Sequence, residues 1–99
     1  MFIHHVYFWL KNSDSKEDLD QLKAGLQKLT VIETIGMHQI GVPAATNREV
    51  IDRSYSVSWM LMFDNIEDEE IYQHHALHLK FVETCAHLWS RVVVYDSVD

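Results

Sequence analysis

The chain has one cysteine and few positively charged residues, and these two shortages argue against disulfide bonding and against binding to nucleic acids or anionic membranes. Cys85 alone cannot form an intrachain disulfide, so we expect a buried structural thiol and a reducing compartment, with the cytoplasm as the default location. Lysine and arginine number 8 against 15 acids, giving a formal net charge of −7 with no basic cluster. Because nucleic-acid and anionic-membrane binding require a basic surface, we expect neither partner.

The chain also lacks any apolar run of membrane-spanning length. Its N-terminus has neither the basic start nor the small-residue cleavage site of a signal peptide. Apolar residues make up 47% and charged residues 23% of the sequence, a balance typical of globular proteins and not of disordered ones. With 99 residues, we expect one domain over residues 1–99, built around one core.

Four short stretches are dense in β-branched and aromatic residues and predict strands. They are residues 2–10, 37–42, 55–63 and 91–96. In the stretch at residues 55–63, side chains of the two faces alternate most clearly in character. In the stretch at residues 2–10, strand alternation places His5 and Trp9 on one face of the sheet and His4 on the other. A strand cannot turn both adjacent histidines toward one ion, so His4 and His5 are not a metal-binding pair.

Two helical patterns separate these strands. The first begins at Ser15, which is spaced from Asp18 as a capping box. Its apolar residues recur at steps of three and four and predict one buried stripe, formed by Leu19, Leu22, Leu26 and Leu29. The second pattern covers residues 66–89, and His75 is a point where that helix can break.

The order is therefore β-α-β-β-α-β, an α+β arrangement with two helices on one side of a four-stranded sheet. Three of the strands are apolar on both faces, as Met60 and Met62 illustrate on the third. Because two helices cover only one face of a sheet, the second face needs another cover. A second copy of the same sheet is the simplest one, so we predict a homodimer that pairs through its sheet faces.

Residues 66–89 carry four of the seven histidines and are the best candidate for chemistry. Tyr72, His75 and His78 follow one another at three-residue steps, so on an unbroken helix they climb one flank and can converge on a cavity. An imidazole titrates near neutrality and can act as a base, while a phenol can stabilise an enolate oxygen. The alternative is a structural helix whose polar side chains are satisfied at its margin.

Aromatic residues supply candidate walls for such a cavity, and they suit a flat aromatic or polyketide-like ligand. They are Trp9, Trp59, Phe63, Phe81 and Trp89. The alternative is that these side chains only fill the core, which is common for tryptophan in a small domain.

A metal site competes for the same helix. Glu70, His74 and His78 are four residues apart, so an unbroken helix could present them together to Zn²⁺ or Ni²⁺. No thiolate joins them, and we prefer the metal-free interpretation. The acids of the first turn, Glu69 among them, are most simply a solvated helix start.

Several of these pieces together resemble the stress-responsive dimeric α/β-barrel family over nearly the whole chain. The similarity rests on an N-terminal strand with His5, a capped helix, the strand at residues 55–63, and the closing Val-Tyr-Asp at residues 94–96. Its most specific piece is Tyr-x-x-His-x-x-His at residues 72–78, followed by Phe81 and Trp89. The resemblance implies a ferredoxin-like subunit with an antiparallel sheet, paired through its sheets into a barrel.

The family includes polyketide cyclases similar to olivetolic acid cyclase, which promote an aldol condensation without a metal or organic cofactor. The resemblance implies that His78 is the general base or acid, that Tyr72 acts at the carbonyl oxygen, and that His5 and His75 line the pocket. Val57 stands where those cyclases have a further pocket histidine, and Ala76 replaces a proline. The two rival functions are a non-catalytic stress or assembly protein and a cofactor-free monooxygenase that uses dioxygen.

Overall fold

The strands and helices follow the predicted order, except that the second helix is divided in two. The computed structural model describes all residues, 1–99. Its elements are β1 (Phe2–Leu10), α1 (Lys16–Gln27), β2 (Met37–Gly41), β3 (Val57–Phe63), α2 (Ile66–His74), α3 (Ala76–Cys85) and β4 (Trp89–Val98). Short 3-10 helices, Lys28–Val31 and Ala86–Leu88, follow α1 and α3. None of the helices is long and apolar enough to cross a membrane.

Side-chain caps determine where the helices begin. The Ser15 hydroxyl accepts a hydrogen bond from the Asp18 N–H at 3.1 Å, which confirms the predicted start of α1. Asn65 caps α2 in the same way. His75 has an extended backbone with ψ of 141°, so it ends α2, and its Nδ1 accepts from the Leu77 N–H to start α3. The expected break is therefore a capped junction between two helices.

The sheet is antiparallel, with the strand order β2-β3-β1-β4 that characterises a ferredoxin-like fold. Val6 on β1 lies opposite Trp59 on β3 and opposite Val94 on β4, and the pairing of β1 with β4 shifts by one residue between Trp9 and Leu10. The last strand begins two residues before the predicted Arg91 because Trp89 already pairs with Leu10. Helices cover one face of this sheet.

The core lies between that face and the helices. The predicted leucine stripe is confirmed, since Leu22, Leu26 and Leu29 are fully buried and Leu19 packs against them. The sheet contributes the even-numbered residues of β1 and the odd-numbered residues of β3. Cys85 is a free, buried thiol in this core, as predicted.

No helix covers the other face of the sheet. Ile3 and Met60 are half-buried there, and the Tyr95 side chain is 66% exposed. Polar side chains lie among them, including His5, whose Nε2 is 2.7 Å from Ser58 Oγ. This face therefore carries the expected exposed apolar surface but is more polar than the sequence pattern indicated.

Gly25 allows α1 and α3 to pack closely. A Cβ atom at this position would lie 2.7 Å from Cys85 Sγ and 3.2 Å from Phe81. Such distances are too short for van der Waals contact, so the glycine is required for the approach of the two helices and not for its backbone freedom.

We expect Gly25→Ala to destabilise the protein by about 1–2 kcal/mol, because overpacking outweighs the helix propensity that alanine adds. Urea denaturation of the single variants and of the double variant with Cys85→Ala measures the coupling. The cost of Gly25→Ala should fall by at least half when the Cys85 sulfur is removed. An equal cost in both backgrounds would show that this contact is not its cause.

Candidate functional site

Tyr72, His75 and His78 are spaced three residues apart, but the junction between α2 and α3 at His75 lets only two of these side chains come together. Tyr72 is buried at the end of α2, and His78 points back toward it from the first turn of α3. Their ring centroids are 4.8 Å apart at an interplanar angle of 64°. His75 is instead occupied in capping α3, since its ring nitrogen accepts from the Leu77 N–H. The structure therefore brings Tyr72 and His78 together, and the assignment of His75 to their cavity is corrected.

The Tyr72 hydroxyl is held in the core by the sheet. The Trp59 Nε1–H donates to it at 3.0 Å. Burial raises the pKa of Tyr72 to about 12, the negative charge of Glu69 adds to the increase, and the Trp59 hydrogen bond opposes it. The phenol is therefore protonated at neutral pH and can donate a hydrogen bond.

His78 is half-buried beside this phenol. Its Nδ1 is enclosed and has no hydrogen-bond partner. Burial lowers the pKa of His78 from its ordinary value of 6.5, nearby His4 lowers it further, and the backbone of Gln73 opposes both. The imidazole is therefore neutral at pH 7 and has a nitrogen available as a proton acceptor.

A partly buried polar network lies next to the pair, and its residues were not among the predicted site residues. The His4 Nδ1 is 2.6 Å from an Asp96 carboxylate oxygen and 3.7 Å from Glu69. The Gln73 amide donates to Glu69 at 2.8 Å and lies 3.4 Å from His4 Nε2. The His4 ring meets the Tyr72 ring edge-on at 6.0 Å.

Two signals in the sequence would have identified this network. Strand alternation places His4 on the same face as Val6, which faces the helices. Glu69, Tyr72 and Gln73 are spaced i, i+3, i+4, so they share one helix face. Glu69 is only 8% exposed, so its assignment to a solvated first turn is corrected.

The pair Tyr72 and His78, with His4 and Gln73 of the network, borders a cavity of about 170 Å³ between the sheet and the helices α2 and α3. Cavities of about 150 Å³ hold a benzene-sized molecule. Apolar side chains make up most of its wall, and Val82, Val92 and Val94 are each more than 40% exposed and form its mouth. The wall also includes Val6, Phe8, Trp59, Phe81 and Trp89, beside the polar His4, Tyr72, Gln73 and His78. No lysine, arginine or carboxylate lines it, so it suits a neutral ligand.

The predicted aromatic walls therefore divide into three groups. Trp59, Phe81 and Trp89 line the cavity. Phe63 is buried behind Tyr72, with their ring centroids 5.5 Å apart. Trp9 points to the opposite face of the sheet, so its assignment to this cavity is corrected.

His5 lies on that same opposite face. It contacts Ser58 and stacks on Tyr7 at 4.4 Å, so its assignment to the pocket of Tyr72 is also corrected. The alternation of β1 is the physical reason, because adjacent residues of a strand point to opposite faces. His4 occupies the place that the resemblance implied for His5.

The three proposed metal ligands do not converge. Glu70 and His74 are exposed on α2, and the His74 ring bonds to the Glu70 backbone carbonyl at 2.9 Å. His78 lies on α3, beyond the break at His75, and faces the core. No group of three or more His, Cys, Asp or Glu side chains is arranged to hold a metal ion.

Comparison with known proteins shows what the chain is similar to. A family model described as the stress responsive A/B barrel domain (Dabb) matches residues 2–99. No curated protein matches the sequence.

Solved structures share the fold at low sequence identity. A Dabb family protein with a ferredoxin-like fold from Mesorhizobium loti is 19% identical, with a TM-score of 0.81 over 99% of this chain and 95% of that one. A dimeric ferredoxin-like protein of unknown function from Thermobifida fusca is 16% identical, with a TM-score of 0.79 over 99% and 90%. The hydroxynitrile lyase of Passiflora edulis is 19% identical, with a TM-score of 0.79 over 99% and 92%.

The lowered pKa of His78 predicts how stability depends on pH. The folded protein holds fewer protons than the unfolded chain when the pH lies between the folded pKa and 6.5. Stability should therefore be complete above about pH 6.5 and decrease as the pH falls through that window. Urea denaturation at pH 5 and pH 7 should show a smaller pH effect in His78→Gln than in the unaltered chain. An equal effect in both proteins would contradict the burial of a neutral imidazole.

Proposed function

The chain belongs to the stress-responsive A/B barrel domain family, and from this membership we propose that it binds a small neutral carbonyl compound and transforms it by cofactor-free acid–base chemistry. The reaction class is that of a cyclase or lyase. The ligand lies in the cavity between the sheet and the two helices α2 and α3. Tyr72 and His78 act on it, and the apolar wall excludes water.

One observation carries this proposal. A phenol that keeps its proton and an imidazole that stays neutral lie 4.8 Å apart, between ring centroids, at the wall of one cavity. Catalysis at a carbonyl needs such a pair, because the base and the hydrogen-bond donor must be in opposite protonation states at the same pH. The pKa shifts of Tyr72 and His78 both have burial as their main cause, so burial reinforces the protonation state that each group already favours at neutral pH.

The chemistry follows from these states. His78 removes a proton from the carbon next to the carbonyl group, and the electron pair of the broken C–H bond forms a C=C bond while the carbonyl oxygen becomes an oxyanion. The Tyr72 hydroxyl donates a hydrogen bond to that oxygen. The enolate then attacks a second carbonyl carbon, whose oxygen takes the proton back from the His78 imidazolium, or the enolate carbon is itself reprotonated by that imidazolium. Trp59 keeps the phenol in place throughout.

We expect the protein to accelerate hydrogen–deuterium exchange next to the carbonyl of small aryl ketones in D₂O, followed by proton NMR. This assay detects proton removal whatever the later product is. His78→Ala should reduce the catalysed rate at least 100-fold and Tyr72→Phe by about 10- to 1000-fold, as general-base and oxyanion contributions usually do. His87→Ala, at an exposed histidine outside the cavity, is the matched control. Unchanged exchange in a folded His78→Ala variant would refute the assignment.

Measurements on the unaltered chain separate the two rival functions. A non-catalytic stress or assembly protein would give no catalysed exchange with the unaltered chain, and Tyr72 and His78 would then only fill the space beside the cavity. A cofactor-free monooxygenase would consume dioxygen with a quinol-like substrate, which an oxygen electrode detects. The neutral wall and the donor–acceptor pair favour carbonyl chemistry over both.

We also propose that the chain is a homodimer that pairs through the uncovered sheet face. The exposed apolar residues of that face support the pairing, and the related protein of Thermobifida fusca is described as dimeric. Two copies pack there as stacked sheets, and each subunit keeps its own cavity on the helix side.

Sedimentation equilibrium at micromolar concentration should give twice the chain mass of 11.6 kDa. Met60→Glu, on the uncovered face, should shift the protein toward the monomer because a carboxylate is costly in an apolar interface. Val31→Glu, at a residue that is 73% exposed, is the control and should remain dimeric. A monomeric unaltered chain would defeat the proposal.

A further inference from the structure

A second cavity lies on the helix side of the molecule, between α1 and α3. Its volume is about 250 Å³, larger than the cavity beside Tyr72 and His78. We call it the interhelix groove, and it is lined by residues between Gln21 and Lys28 on one side and between Leu77 and Cys85 on the other. None of these residues belongs to the uncovered sheet face, so the groove stays open when two copies pair through that face.

The floor of the interhelix groove is apolar. Phe81 and Cys85 are buried there, and Gly25 leaves their surfaces open because it has no side chain to cover them. Ala24 and Leu77 are exposed and continue the apolar surface toward the rim. Since a cavity of about 150 Å³ holds benzene, this groove has room for a larger apolar group.

The rim of the interhelix groove is positively charged. Lys28 and Lys80 both line it and are exposed, and none of the 15 acidic residues of the chain does so. Neither lysine takes part in an ion pair with a carboxylate of the chain. The groove thus combines an apolar floor with two ammonium groups that have no partner of opposite charge, on a chain whose net charge is −7.

We propose that the interhelix groove binds an amphipathic organic monocarboxylate, such as a medium-chain fatty acid. The apolar body of the ligand lies on Phe81 and Cys85, and its carboxylate pairs with Lys28 and Lys80. A small inorganic anion would leave the apolar floor uncovered. Because the net charge of the chain opposes the approach of any anion, the affinity depends on both contacts together.

Phe81 gives this binding an optical signal. Its ring stacks on Trp89, with centroids 5.7 Å apart at an interplanar angle of 29°. A ligand on the floor of the groove therefore contacts a side chain that packs against a tryptophan, so tryptophan fluorescence can follow binding. The proposal does not depend on the carbonyl chemistry of Tyr72 and His78.

Titration of the purified protein with octanoate, followed by fluorescence and calorimetry, tests the proposal. At about 0.15 M salt, charges more than about 8 Å away are screened, which limits the effect of the net charge. We expect saturable binding with a Kd of about 1 mM or tighter. Octanamide, which has the same chain without the charge, should bind about 3- to 10-fold more weakly, as expected for the loss of two exposed ion pairs.

Acetate, which has the charge without the chain, should not saturate the protein up to about 50 mM because it cannot cover the apolar floor. Octanamide binding as tight as that of octanoate would overturn the proposal. Failure of octanoate to saturate the protein at about 50 mM would do so as well.

Lysine variants test the charged rim. Lys28→Gln and Lys80→Gln should each weaken octanoate binding about 2- to 5-fold and leave octanamide binding within about twofold. Lys23→Gln removes the same charge from an exposed position on α1 outside the groove and is the matched control. An effect of Lys23→Gln equal to the other two would show that only net charge matters and would overturn the assignment.

Two further variants locate the apolar part of the ligand. Ala24→Leu narrows the groove with a residue that also favours helix, and it should weaken octanoate and octanamide alike by about 5-fold or more. His78→Ala alters the other cavity and should leave octanoate binding within about twofold. Unchanged binding in Ala24→Leu, or its loss in His78→Ala, would place the ligand elsewhere and overturn the proposal.

Discussion

The hydrogen bond from the Trp59 indole to the Tyr72 hydroxyl joins the sheet to α2 inside the core. Trp59 is 1% and Tyr72 also 1% exposed, so neither group can exchange this bond for water. The bond fixes the phenol at one end of the cavity, and the break at His75 then lets α3 bring His78 against it. Without the bond, the buried phenol would lose its only hydrogen-bond partner within the chain. Packing of the core and chemistry at the site thus depend on the same contact.

The alternation of β1 gives the two faces of the sheet different properties. Its even positions include His4 and border the neutral cavity beneath the helices, whereas its odd positions include Tyr7 and Trp9 and lie on the uncovered face. A single central strand therefore supplies residues both to the candidate site and to the surface proposed for pairing.

Much of the architecture could be predicted from sequence because periodicity reports it directly. The leucine stripe of α1, the Ser15 cap and the alternation of β3 are local patterns, and the structure confirms them. The neighbouring positions of Tyr72 and His78 were also anticipated. Three features could not be predicted from residue spacing alone. His75 does not share the helix flank of Tyr72 and His78, because it caps α3. The resemblance pointed to His5, whereas strand alternation places His4 on the helix side; Glu69 is buried by tertiary contacts, which the rule for acidic first turns does not take into account.

One cavity wall holds a neutral imidazole beside a protonated phenol, and the proposed chemistry depends on this pair. Direct observation of the His78 ring by ¹⁵N NMR through a pH titration tests it without reference to any substrate. The structure predicts a neutral ring at pH 7 and a titration midpoint below 6.5, because burial is the main cause that lowers the pKa of this group. A midpoint at or above 6.5 would mean that the imidazole is solvated or charged in the folded protein, and would contradict the buried neutral imidazole on which the account depends.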